Sequence, residues 1–166
     1  LIAIGVIFAL HNMANAISIT ANITADNHYG LYYGKADGSG LTFVGRNEYG
    51  TGHGPDSWNW SHAETWNFNV AADDYFYVLT WDEGQYQMWI GDFSWTGGSL
   101  VSDTTNWEYY VSCGANPGAN GELPNISSVS TEILIATWLT PMASAPDGDA
   151  SVSWWGNIPE VNDTAN

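Results

Sequence analysis

From Ile17 onward, apolar residues come in short runs with a period of two, and this pattern limits the chain more than any other feature. Ile17, Ile19, Ala21 and Ile23 alternate with Ser18, Thr20, Asn22 and Thr24. Side chains alternate across a strand, so this run reads as a strand with one buried face. Similar runs recur at His28–Tyr33, Leu41–Val44, Glu64–Val70, Tyr75–Trp81, Met88–Phe93, Leu100–Val101, Trp107–Ser112, Ile133–Trp138 and Ser151–Trp155. They are rich in Val, Ile, Thr, Tyr, Phe and Trp, and Gly, Asn, Asp and Pro separate them. No stretch keeps the i, i+3, i+4, i+7 spacing of an amphipathic helix. About ten strands at this spacing predict an all-β fold, a two-layer antiparallel sandwich or a barrel. Phe76 and Val78 lie on one face of Tyr75–Trp81, and Tyr77, Leu79 and Trp81 on the other. A strand apolar on both faces belongs in the middle of a sheet.

Turn chemistry fits this reading. Lys35–Gly40 carries Asp-Gly and Ser-Gly steps, which suit the positive φ of a tight hairpin. Asp73-Asp74 turns Glu64–Val70 into Tyr75–Trp81. Residues 47–57, 113–124 and 140–149 are Gly-, Asn- or Pro-rich and read as loops.

Leu1–Leu10 is an apolar run too short to cross a bilayer, which takes about 20 residues. Ala14-Asn15-Ala16 follows it as a small-x-small cleavage pattern. Residues 1–16 therefore read as an export signal, truncated at its N-terminus, with the mature chain starting near Ile17. The sandwich then occupies 17–158, and 159–166 is a flexible tail. The alternative is that the segment is retained and supplied to a neighbouring copy as a strand. The expected location is secreted, at the cell surface.

Charge removes several partners. Eighteen Asp and Glu face two Lys and Arg, a formal net charge of −16. Nucleic acid is excluded, because displacing counterions from phosphates takes Lys and Arg. Anionic membrane surfaces are excluded by the same sign. Most carboxylates must be hydrated or neutralised by cations, so a structural Ca²⁺ is an optional partner and no other cofactor is expected. Asp26, Asn27 and Asp82 are the metal candidates, although Asx residues before a strand more often serve as turn formers. Cys113, the one cysteine, forms no internal disulfide and is expected to be buried as a small apolar residue.

The run Ala25-Asp26-Asn27-His28-Tyr29-Gly30-Leu31-Tyr32-Tyr33-Gly34 resembles the opening of galactose-binding-like jelly-roll domains. Phe43-Val44-Gly45, Trp66-Asn67-Phe68, Tyr77-Val78-Leu79-Thr80-Trp81-Asp82, Trp89-Ile90-Gly91-Asp92-Phe93 and Ser102–Trp107 continue the resemblance in order through residue 112. Residues 25–93 look closer still to exported bacterial surface proteins, many cyanobacterial, with a PEP-type C-terminal sorting signal, at which Ile158-Pro159-Glu160-Val161 hints. The resemblance implies a jelly-roll sandwich displayed at the cell surface or in an extracellular matrix, and it fixes no ligand.

Ten Trp and nine Tyr point to sugar stacking or to a large aromatic core. The best candidate site is the Gly-rich loop and its edge: His53, Asp56, Trp58, Trp60 and His62. Alternation puts Trp58, Trp60 and His62 on one face, with polar neighbours to read hydroxyls. No G-x-S-x-G motif or zinc spacing occurs. Glu64, Asp82, Glu83 and Asp92 could supply a glycosidase pair, but no spacing selects one. The expected function is non-catalytic, with weak carbohydrate recognition. The alternatives are a self-assembling sheath or filament subunit and, behind it, a glycoside hydrolase. Partners are a glycan or neighbouring copies of the chain.

Overall fold

In the computed structural model the description covers residues 2–6 (backbone only), 16–47, 59, 62–81, 88–117, 122–142, 158, 160, 161 and 165. The alternating run at the start of the body becomes strand β2 (Ile17–Asp26), and its apolar set, Ile19, Ala21, Ile23 and Ala25, is buried. The other strands are β1 (Ile2–Val6), β3 (His28–Gly34), β4 (Thr42–Arg46), β5 (Glu64–Val70), β6 (Tyr75–Trp81), β7 (Met88–Trp95), β8 (Gly98–Val101) and β9 (Trp107–Val111). They form two antiparallel sheets, ordered β4-β3-β6-β1-β9 and β5-β2-β7-β8. The fold is an all-β sandwich.

The core between the sheets joins the inward residues of both. Ile19, Ala21, Ile23 and Ala25 of β2 meet Tyr29 and Leu31 of β3, Phe76 and Val78 of β6, Phe93 of β7 and Trp107 of β9. Phe76 stacks on Phe93 at 4.9 Å, and Phe93 lies 5.6 Å from Trp107. Each such aromatic pair adds about 0.5–1.5 kcal/mol beyond its burial. Much of the aromatic content is therefore core: Trp81 and Trp107 are buried, and Trp66, Trp89 and Trp95 pack against the inter-sheet cluster.

Strand β6 sits inside its sheet between β3 and β1, as its two apolar faces require. Its second face, Tyr77, Leu79 and Trp81, packs with Tyr32 under Val129 and Ile133. These two belong to helix α1 (Ile126–Ile135), which corrects the strand expected over Ile133–Trp138. The β-branched residues there suggest a strand, but Asn125 caps the helix by accepting from the Ser127 N–H at 2.9 Å. Val129 and Ile133 then fall four apart, on the one helix stripe that can seal β6. At Ala136 the backbone is extended, and Leu139 exchanges backbone hydrogen bonds of 2.8 and 2.9 Å with Tyr109.

The Lys35–Gly40 turn forms as the sequence predicts, with Gly38 at φ +75°. Its carbonyl accepts from the Ser130 hydroxyl at 2.6 Å, so the turn also seats the helix. Lys35 reaches across to the second turn and donates to Asp73 at 2.6 Å and Asp74 at 2.7 Å.

Three further positions bear on the sequence reading. Residues 2–6, within the stretch read as an export signal, form the strand between β6 and β9, with Ile4 opposite both Val78 and Tyr109. In the stretch read as a tail, Val161 and Ala165 are buried with Ile158 and Ile90. Cys113 is exposed, not buried as expected, because it follows the end of β9 where the chain leaves the sheet. The strand expected at Ser151–Trp155 lies outside the described residues. Among the described residues no helix is long and apolar enough to cross a membrane.

Candidate binding rim

One end of the sandwich collects the ends of six strands, with Asp26, Asn27 and Glu64 among the sequence-derived candidates there. Asp26 closes β2 and His28 opens β3, Arg46 closes β4, Glu64 opens β5, Trp81 closes β6 and Met88 opens β7. The registers place them together: His28 pairs with Trp81, Gly30 with Arg46, Ile23 with Glu64 and Asp26 with Met88.

A polar network is buried beneath this rim. Asn47, 1% exposed, donates through Nδ2 to the carbonyls of Asn27 at 2.6 Å and Asn59 at 3.1 Å, and its Oδ1 accepts from the Tyr29 N–H at 3.2 Å. Asn59, also buried, donates to the His62 carbonyl at 2.9 Å and to Glu64 Oε1 at 2.6 Å, and accepts from the His62 N–H at 3.2 Å. Glu64 Oε2 accepts from the Tyr29 hydroxyl at 2.8 Å, and that hydroxyl accepts from Trp66 Nε1 at 2.9 Å. Gly45 makes room for this last partner, since a Cβ there would lie 2.5 Å from the Trp66 ring. Buried polar groups persist only when bonded, and the bonds hold one another in place. The network thus fixes the chain at Asn47 and again at Asn59 and His62, on either side of residues 48–58.

On the opposite face of the β3 sheet, His28 stacks on Trp81 at 5.0 Å, and the Arg46 guanidinium lies 5.3 Å from the centre of the Trp81 ring. A cation over an indole face is attracted by the ring quadrupole. Burial holds Arg46 below its usual pKa. Burial likewise pushes the Tyr32 phenol up to about 12, and nearby Arg46 partly offsets that.

The sequence-derived residues divide as follows. His62 is exposed at the rim, with Nδ1 3.3 Å from Glu160 Oε1. His53, Asp56, Trp58, Trp60, Asp82 and Glu83 lie outside the described residues. Asp26 and Asn27 sit where the chain passes from one sheet to the other, and the Asn27 carbonyl receives Asn47. Among the described residues no group of three or more His, Cys, Asp or Glu side chains could hold a metal ion. Glu64 shares the inward side of β5 with Trp66, whereas Asp92 is bonded to Asn22 on the outer face of the same sheet. These two carboxylates therefore do not face each other across a cleft.

Asn47, Asn59 and Tyr29 escaped the sequence reading as site residues. Their partners lie far apart in the chain, and an Asn at the end of a strand looks the same whether it points inward or outward. The only local signal was the Gly-rich stretch between them. No family model, curated protein or solved structure matches this chain.

Proposed function

We propose that this chain is an exported, non-catalytic β-sandwich module of the cell surface or extracellular matrix that recognises carbohydrate weakly at the rim. The observation that carries the reading is the anchoring of the chain by Asn47, Asn59 and His62 on either side of residues 48–58. A binding loop gains affinity when its ends are ordered before the ligand arrives. The stretch offers Trp58 for stacking and His53 and Asp56 for hydroxyls, and Trp60 and His62 follow it directly. The fold this reading invokes is a galactose-binding-like jelly roll. A glycan array supports it if the chain retains neutral oligosaccharides and Trp58→Ala or Trp60→Ala loses them. An array that stays blank, or one unchanged by either substitution, removes it.

One observation favours a second reading, self-assembly of copies that keep the N-terminal segment. Residues 2–6 pair on both edges, between β6 and β9, and a terminal strand of this kind can be supplied in trans. The mass of the native N-terminus separates the readings: a start near Ile17 eliminates strand donation and leaves the rim untouched.

A further inference from the structure

Four Asn-X-Ser/Thr triplets begin at Asn22, Asn59, Asn125 and Asn162. Such a triplet accepts an N-linked glycan only where an enzyme can reach both the amide nitrogen and the hydroxyl two residues on. Asn162 lies outside the described residues, and the fold separates the other three. Asn22 stands inside β2, which pairs with β5 on one edge and β7 on the other. Its Nδ2 donates to Asp92 at 3.1 Å, its Oδ1 accepts from Thr65 at 2.8 Å, and Thr24, which supplies the hydroxyl, is fully buried. Presenting this triplet requires breaking the sheet. Asn59 is buried, and its Nδ2 is engaged by the His62 carbonyl and Glu64.

Asn125 differs in each respect. It is the N-cap of α1, and residues 125–128 are all exposed, even the apolar Ile126. Its Oδ1 accepts from the Ser127 N–H at 2.9 Å and from the Ser127 hydroxyl at 2.7 Å, while its Nδ2 donates to nothing among the described residues. The buried contacts of the helix begin only at Val129, so its first turn opens without disturbing the core. We propose that Asn125 is an N-glycan acceptor of the folded, exported chain, its donor an oligosaccharide carried on a lipid phosphate. In the transfer the amide nitrogen bonds to the anomeric carbon of the sugar and gives up one proton. The bond from that carbon to the phosphate oxygen breaks, and the lipid phosphate leaves with the electron pair. The product keeps Oδ1, so the Ser127 N–H is still capped and α1 stays on β6. The inference rests on the export proposed above and not on carbohydrate recognition at the rim.

The test incubates the purified, folded full chain with an oligosaccharyltransferase and a lipid-linked oligosaccharide, and maps the product by mass spectrometry of protease digests. The peptide holding Asn125 gains the glycan mass, and those holding Asn22 and Asn59 do not. Asn125→Gln and Ser127→Ala each abolish transfer to this peptide, and Ser127→Thr retains it. A bare Asn125 in the folded chain, or transfer to Asn22 or Asn59 to the same extent, overturns the proposal. The reaction bypasses export, so its failure counts against Asn125 alone. In the native protein, a chain that starts near Ile17 and carries a bare Asn125 also overturns the proposal, whereas one that keeps residues 1–16 counts against the export on which it rests.

Discussion

The Tyr29 hydroxyl donates to Glu64 Oε2 at 2.8 Å, tying the second residue of β3 in one sheet to the first residue of β5 in the other. The same oxygen accepts from the Trp66 indole. Tyr29→Phe keeps the ring in the core and removes both of these half-buried hydrogen bonds. A net hydrogen bond is worth about 0.5–1.5 kcal/mol, so the denaturant midpoint falls while the slope of the transition is unchanged.

Asn59 bonds to both backbone groups of His62 and donates to Glu64. Asn59→Ala removes both amide bonds and frees the His62 N–H, with a cost again of about 1–3 kcal/mol. The larger effect is local: amide exchange and protease cleavage between residues 47 and 62 accelerate more than in β2 or β6. Uniform acceleration throughout the chain would show that Asn59 supports global stability alone. The same burial makes Asn59 a poor glycan acceptor in the folded chain, although Asn59-Trp60-Ser61 is a sequon.

Gly38 and Gly40 both have positive φ, at +75° and +63°, but different surroundings. A Cβ at Gly38 would lie 2.8 Å from the Ser130 carbonyl, whereas one at Gly40 meets nothing within 4 Å. Gly40→Ala therefore costs only the conformational penalty, about 1 kcal/mol. Gly38→Ala costs that and a displacement of α1 as well. Thermal melts of the two variants rank them, and equal melting temperatures would contradict the seating of the helix on this turn.

Acid weakens the turn contacts. The Lys35 ammonium holds the Asp73 carboxyl below its usual value of 3.8, and the Ser39 hydroxyl and N–H do the same for Asp37. Depressed carboxyl pKa values give stability that is present above the unfolded value and lost as pH falls through the folded one. Lys35 is raised above 10.5 by the same aspartates, so its contribution is full below that value and fades above it. Melting temperature is therefore flat in this respect between these limits and declines below about pH 4. Lys35→Met shallows the acid-side decline, and a slope identical to that of the parent chain would contradict the assignment.

The sandwich was legible because its signal is local. The alternation in Ile17–Thr24 and the two apolar faces of Tyr75–Trp81 state directly which side chains must be inside. Helix α1 was not legible, since Ile133–Ile135 has strand propensity and becomes helical only because β6 needs a cover that Val129 and Ile133 supply together. Cys113 was misjudged because residue type predicts burial only on average, and the end of β9 decides its exposure. At the rim the Gly-rich loop and His62 stood out, but the contacts beneath them join residues 29, 47, 59, 64 and 66, and no sequence window spans that set.

The most direct measurement is a titration of the isotopically labelled chain with a neutral oligosaccharide retained on the array, followed by amide and indole chemical shifts. Saturable shifts confined to the neighbourhood of Asn47, Asn59, His62 and the Trp66 indole are the expected result. Shifts confined to the far end of the sandwich, around Gly34 and Tyr75, or no shifts at all, would contradict recognition at the rim.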